Sequence, residues 1–312
     1  MGVVLVLGGL GLVTLPGLLR PLGRRLEPRD WARLGAAALG VGLGVFELGL
    51  VLYAAPTVLS AIGALGFASI CREMLGGVAP GGAVAGWGAG ALAAVVAGSV
   101  GFSVTKGRRI RRGARVEPWL GEHTRLGHHE LVVLERRDLV ALSVDCDGGQ
   151  VVISSGLVSA LHEDELGAVL AHEVAHLDHR HQRYLSLASA VRHGLAFFPM
   201  ATLSAATLVV ALERWADEVA AATIDDGRTR LHGALCQVTA SMVGVEVAAF
   251  SAAETVVERL EALESPPRKL EVGSLGVLYS PGLALGVASV VGLGIWISNL
   301  EMLIQMVGRC PL

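Results

Sequence analysis

Residues 3–19, 34–55, 81–104 and 281–300 are four apolar runs that carry between them a single charged side chain, Glu47. Crossing a bilayer takes about 20 residues of helix, with a range near 17 to 25, so each run is long enough to span. Buried helices of a soluble core are the competing reading. Four such runs, in a chain that is 53% hydrophobic and only 17% charged, argue against it. The first run has no basic stretch ahead of it and no A-x-A cleavage pattern, so it reads as a retained span rather than a signal peptide.

Basic residues set the expected orientation. The loop after the first run carries Arg20, Arg24, Arg25, Arg29 and Arg33, and the stretch after the third carries Lys106, Arg108, Arg109, Arg111, Arg112 and Arg115. Between the second and third runs only Arg72 stands. Two crossings separate the rich loops, which places both in the cytoplasm, with the N-terminus and the C-terminus outside. The net charge of -3 gives no footprint for direct nucleic-acid binding. Four scattered cysteines without C-x-x-C spacing, Cys71, Cys146, Cys236 and Cys310, read as reduced structural thiols. Gly82, Gly86 and Gly90, like Gly40 and Gly44, recur every four residues, which lets helices approach closely in lipid; intramolecular packing is the preferred use and homodimerisation the alternative. Glu47 sits mid-span, where a carboxylate tends to face a partner or a water-filled cavity.

The region from 106 to 279 reads as a separate cytoplasmic domain. Short strands in "LVVLERR", "LVALSVDCD" and "GQVVISSGLV" predict a small sheet. Val151 to Ser154 is the candidate edge to which an extended peptide would add as a further strand, and the equal alternative is that this strand only packs against the helix. A helix follows, opened by Glu163, Asp164 and Glu165, whose charge suits a helix N-terminus. Within it stands His172-Glu173-Val174-Ala175-His176, the H-E-x-x-H pattern.

Positions four apart share one helix face, so the imidazoles of His172 and His176 can converge on one metal ion. Glu173, one residue round, would reach a water activated by that ion without ligating it, which is the place for a general base. His179 lies about 10 Å along the axis from His172, too far to join them, and with His181 reads as a polar helix end or at most a supporting group. The longer pattern H-E-x-x-H-x-x-G-x-x-H fails, because His179 and Gln182 stand in its glycine and final histidine slots. A third ligand must come from farther along the chain. In "ERWADEVAA", Glu213 and Asp217 lie one turn apart on a face with small alanines. Glu213 would ligate, and Asp217 could accept a hydrogen bond from a ligand histidine and fix its tautomer. An oxyanion partner is expected near Arg228, Arg230 or His232, with His232 the candidate for that role and all three open to reading as surface residues. His123, His128 and His129 are the fallback source of a third ligand.

The stretches "SSGLVSALHEDELGAVLAHEVAH", "ERWADEVAA" and "RLEALESPPR" resemble the membrane-embedded gluzincin metallopeptidases, over roughly Val151 to Arg268. These include the BlaR/MecR-type antirepressor peptidases and their HtpX-type and CAAX prenyl protease relatives. The resemblance implies a zinc ion held by His172, His176 and Glu213, with Glu173 as base and Asp217 behind the ligands. It also implies a protein or peptide substrate. The fold class expected is a multi-pass α-helical membrane protein with an inserted α+β zincin-like metallopeptidase domain. Its parts would be three spans in 1–105, the peptidase domain in 106–279 and a last span in 280–312, in the cell membrane with the zinc domain cytoplasmic.

Three spans before the zinc domain and one after favour regulatory proteolysis of a substrate such as a transcriptional repressor. HtpX-like quality control of membrane proteins is the alternative, and a non-enzymatic receptor or scaffold keeping the zinc fold is a third. The chain ends about a dozen residues past its last run, so no extracellular penicillin-binding domain is expected and β-lactam sensing is not carried over. One conflict remains. Residues 195–211 are apolar and nearly long enough to span, yet a crossing there would put Glu213 about 30 Å from His172. A re-entrant or interfacial element is therefore expected, broken at Arg192-His193-Gly194 and kinked at Pro199, with the ligands on helices outside it.

Overall fold

A computed structural model describes residues 2–74, 82–113, 116, 120–146, 148–241 and 249–265. The expected span at 281–300, the Pro266-Pro267 boundary and Cys310 lie outside the described residues. The chain is mostly helical with one small sheet. In order the elements are α1 (Gly2–Leu18), α2 (Arg20–Gly23), α3 (Pro28–Ala61), α4 (Leu65–Met74), α5 (Gly82–Gly113), β1 (Glu122–Leu126), β2 (His129–Leu134), β3 (Ala141–Val144), β4 (Gln150–Ser154), α6 (Ser155–Ala160), α7 (Glu163–Asp178), α8 (His181–Gly194), α9 (Pro199–Thr223), α10 (Gly227–Ser241) and α11 (Ala249–Glu264).

Two of these helices, α3 and the 82–109 part of α5, are long and apolar enough to cross a membrane, and α1 is a shorter apolar helix. Helices α1 and α3 meet through glycines. A methyl group on Gly9 would fall 2.4 Å from the Phe46 backbone nitrogen, and one on Gly42 or Gly49 would strike the backbone of Val13 or Val6. Gly86 comes as close to the side chain of Thr57, whereas Gly44 faces open space. Close approach in this bundle thus rests on Gly9, Gly42 and Gly49 more than on the four-residue glycine pattern at 40 and 44.

Helices α8 and α9 form a hairpin inserted against this bundle. α8 ends at Gly194, and Pro199 begins α9 rather than kinking it, a position where the missing N–H is harmless. The first residue of α8, His181, has its ring 4.7 Å from that of Trp215, late in α9, so the chain runs out and returns. Leu195, Ala201, Ala205, Leu208 and Leu212 are buried in one core with Val13, Leu39, Phe46 and Val96 of the N-terminal helices. The hydroxyl of Ser204 accepts from the Gly17 amide at 3.0 Å, tying α9 to α1. One expectation is corrected: Glu213 and Asp217 are not on a helix separate from the apolar segment, because α9 continues unbroken from 199 through both.

The sheet has the order β1-β2-β4-β3, with β2 and β4 parallel and the outer pairs antiparallel. Every residue of β4 is buried. Val151 and Ile153 face the helices, together with Leu157, Leu161 and Ala234, while Val152 packs with Val132 and Val144 on the opposite face. Val151 to Ser154 is therefore a central strand, and the edge beside the helices is β3. A continuous apolar run filling both faces is what a central strand requires, and the alternation expected of an edge is absent.

Candidate metal centre

Helix α7 delivers the H-E-x-x-H residues to the floor of a cavity. Its start is fixed by Glu165, whose carboxylate accepts from the His162 amide at 3.1 Å, with Glu163 and Asp164 in the same positive end. Its packing face, with Leu166, Val169, Leu170 and Val174, lies against the sheet. His172, Glu173 and His176 are all buried.

Glu213 of α9 completes the group. Nε2 of His172 and Nε2 of His176 are 3.1 Å apart, and the Glu213 carboxylate oxygens lie 3.5 Å from the first and 3.6 Å from the second. Ligands about 2.0–2.1 Å from a tetrahedral ion are separated by about 3.3 Å, and each Glu213 oxygen faces one histidine at near that separation, so the three side chains could hold one metal. Among the described residues, this is the group of histidine, cysteine and carboxylate side chains close enough together to hold an ion. His123, His128 and His129 lie elsewhere, on the β1–β2 hairpin, where His123 contacts Glu130 at 2.7 Å and His129 contacts Asp178 at 2.9 Å.

Asp217 is almost fully buried and its Oδ1 is 2.9 Å from Nδ1 of His172. With a metal on Nε2, the His172 proton would sit on Nδ1, facing this carboxylate. Asp217 is itself gripped by Arg259 of α11, through Nε at 2.8 Å and Nη2 at 2.7 Å. A third nitrogen of Arg259 stands 3.2 Å from Glu213. Sequence reasoning assigned no role to Arg259. The signal was available: a guanidinium on the apolar face of a helix, one turn before the buried Leu263, needs a buried carboxylate.

The charges explain the protonation of the metal-free site. Burial pulls the His172 pKa down, but hydrogen bonding to Asp217 and Glu213 overrides it and raises the value to about 9. His176, with burial dominant, is lowered to about 4. Burial opposes ionisation of Glu213 and Asp217, yet Arg259 and His172 hold both below the usual carboxylate range. Glu173 moves the other way: burial raises it, against the pull of His172 and a hydrogen bond from Ser143.

The proposed oxyanion residues are not at this site. His232 faces Glu264 at 3.6 Å, Arg230 pairs with Asp164 at 2.5 Å, and Arg228 pairs with Glu218. The reason is the orientation of α10, which turns Leu231, Ala234, Leu235 and Val238 to the cavity and leaves these polar residues outside it. The cavity measures about 520 Å³ and is open to solvent; β3 forms one wall, with Ala141, Leu142 and Ser143, and the apolar side of α10 another.

No curated protein and no solved structure matches the chain. Residues 122–259, from the first residue of β1 to Arg259, match the model of peptidase family M48, a similarity confined to this part of the chain.

Proposed function

We propose that this protein is an integral-membrane zinc endopeptidase that hydrolyses peptide bonds in a protein substrate at the cytoplasmic face. The observation that carries the reading is the triangle of His172, His176 and Glu213, in which the two Nε2 atoms are 3.1 Å apart and the two Glu213 oxygens lie 3.5 Å from one and 3.6 Å from the other, beside a buried glutamate. Two imidazoles and one carboxylate suit zinc, and the open side of the triangle suits catalysis rather than a closed structural site. Zinc held by these residues supplies Lewis acidity toward a scissile carbonyl and toward water.

The chain's own residues do the rest. Glu173, its pKa raised by burial, takes the proton of the attacking water and passes it to the leaving amine. Asp217 holds His172 in the ligating tautomer, and Arg259 holds Asp217 and Glu213 in place. β3 lies at the sheet edge along the cavity, so an extended peptide added to it would run past His172, Glu173 and His176. The apolar wall of Leu231, Leu235 and Val238 favours an apolar side chain next to the scissile bond.

Membrane insertion is supported by α3 and α5 and by the basic residues that follow the first and third apolar runs. Regulatory cleavage of a repressor-like protein is the use that the resemblance of 151–268 implies. The test is a comparison of purified native protein with Glu173→Gln. Both should bind one zinc, and the variant should lose hydrolysis of an extended peptide by about 100-fold to 10,000-fold. Undiminished cleavage by the variant would sink the mechanism.

A further inference from the structure

We propose that His181 is the hydrogen-bond acceptor that fixes the ring of His176 for metal binding, a positioning role that rests on the zinc-peptidase reading above. His181 is completely buried, and its Nδ1 lies 2.9 Å from Nδ1 of His176. Two neutral imidazole nitrogens at that distance share one proton, one donating and the other accepting. The opposite nitrogen of His176, Nε2, is the one turned toward His172 and Glu213. To ligate there it must carry its lone pair on Nε2 and its proton on Nδ1. That proton is then donated to Nδ1 of His181, whose own proton resides on Nε2.

Core packing alone does not account for a histidine at this position. Nε2 of His181 is buried and finds no hydrogen-bond partner among the described residues, and an apolar side chain would fill the space without stranding it. What the ring gains is the contact to His176. Its place is set by the local chain: Arg180 adopts a left-handed conformation with φ 54°, which reverses the backbone after α7 and folds His181 back beneath His176. Trp215, 4.7 Å away, and Tyr184, 6.4 Å away, then enclose the ring. The two ligand histidines are thus held differently, His172 by a carboxylate at 2.9 Å and His176 by a neutral imidazole. Both acceptors select the tautomer that leaves Nε2 free.

The experiment measures zinc affinity of the detergent-solubilised full chain by competition with a chromophoric chelator. His181→Phe keeps a ring and removes the acceptor; His181→Asn sets an amide oxygen near the place of Nδ1. Loss of this acceptor should weaken zinc binding by about 10-fold to 100-fold in the Phe variant, with most of it restored in the Asn variant. Native affinity in a folded His181→Phe protein overturns the proposal while leaving the zinc-peptidase reading intact, whereas absence of zinc from the native protein overturns that reading as well. Should His181→Phe fail to fold, long-range nitrogen–proton spectra of histidine-labelled, zinc-loaded native protein decide: the proposal requires the proton of His176 on Nδ1 and that of His181 on Nε2, and the reverse assignment for His181 overturns it.

Discussion

Arg259 holds Asp217 in a two-pronged grip, Nε to Oδ2 at 2.8 Å and Nη2 to Oδ1 at 2.7 Å, while Asp217 in turn stands 2.9 Å from the ring of His172. The arginine therefore acts on the metal centre at one remove and touches Glu213 as well. Removing one member of a buried ion pair costs about 3–5 kcal/mol, since the other is left uncompensated. Arg259→Ala should lower unfolding stability by an amount of that order and weaken zinc binding about 10-fold to 100-fold. Arg259→Lys keeps the charge but cannot reproduce the fork, so it should fall between. Denaturant unfolding of zinc-free protein and chelator competition measure the two effects separately; unchanged values for Arg259→Ala in both would remove the arginine from the site.

Zinc binding should release protons in a pH-dependent way. His172 in the metal-free protein is raised to about 9, so near pH 7 it is protonated when folded and largely neutral when unfolded, where the usual value is about 6.5. A raised folded value stabilises fully below about pH 6.5, and the contribution disappears as pH rises through about 9. Zinc competes for the same ring. Binding near pH 7 should release about one proton from His172, while His176, lowered to about 4, and the two depressed carboxylates release none. Calorimetric titration in buffers of different ionisation enthalpy gives the count, which should shrink toward zero near pH 10. A constant count across that range would mean that the proton comes from elsewhere.

Close contact between α1 and α3 gives a paired test within one helix. A methyl on Gly9 would lie 2.4 Å from Phe46 N and 2.7 Å from Gly42 O, both backbone atoms that cannot swing aside, while a methyl on Gly11 meets nothing within 4 Å. Gly9→Ala should destabilise by about 1–3 kcal/mol through overpacking. Gly11→Ala should be neutral or slightly stabilising. Thermal unfolding in detergent distinguishes them, and equal midpoints would place the α1–α3 contact elsewhere.

Much of the candidate metal centre was legible because it depends on local spacing. His172 and His176 are one turn apart on α7, and Glu213 and Asp217 one turn apart on α9, so helical periodicity alone put each pair on one face. What periodicity cannot supply is the arrangement of one element against another. Arg259 lies 42 residues beyond Asp217 in the chain, and only the packing of α11 on α9 brings them together. His181 reads as a polar helix end until the left-handed Arg180 is known to turn it inward. Of the two readings of the strand at 151–154, the substrate-binding edge fails and packing against the helix holds, as its unbroken apolar run, which signals burial on both faces, requires. β1, with the sequence EHTRL, has too little apolar character to announce a strand. The hairpin of α8 and α9 followed from geometry: a ligand at 213 has to return to the side where 172 lies.

A second ionic cluster, on the far side of the same two helices, yields the last prediction. Glu213 and Arg214 are neighbours, as are Glu258 and Arg259, and in each pair one residue enters the metal site while the other faces the loop between α1 and α3. Glu258, buried on α11, accepts from Arg20 at 2.8 Å and from Arg24 at 3.2 Å, and Arg214 donates to the Arg24 carbonyl at 3.0 Å. Two guanidinium groups thus share one carboxylate, and a third, that of Arg214, braces the backbone that carries one of them. Glu258→Gln preserves its shape and removes the only negative charge in these contacts, so it should destabilise the zinc-free protein. The loss should stay below about 3 kcal/mol, because Arg24 is half exposed and water screens its share. Zinc affinity should fall less than in Arg259→Ala, since Glu258 touches no ligand. Adding Arg24→Gln to Glu258→Gln removes one of the uncompensated charges and should recover part of the stability, a coupling of about 0.5 kcal/mol or more in a double-mutant cycle. Strict additivity of the two substitutions would show that the Arg24–Glu258 contact does not help to hold α11 against the N-terminal helices.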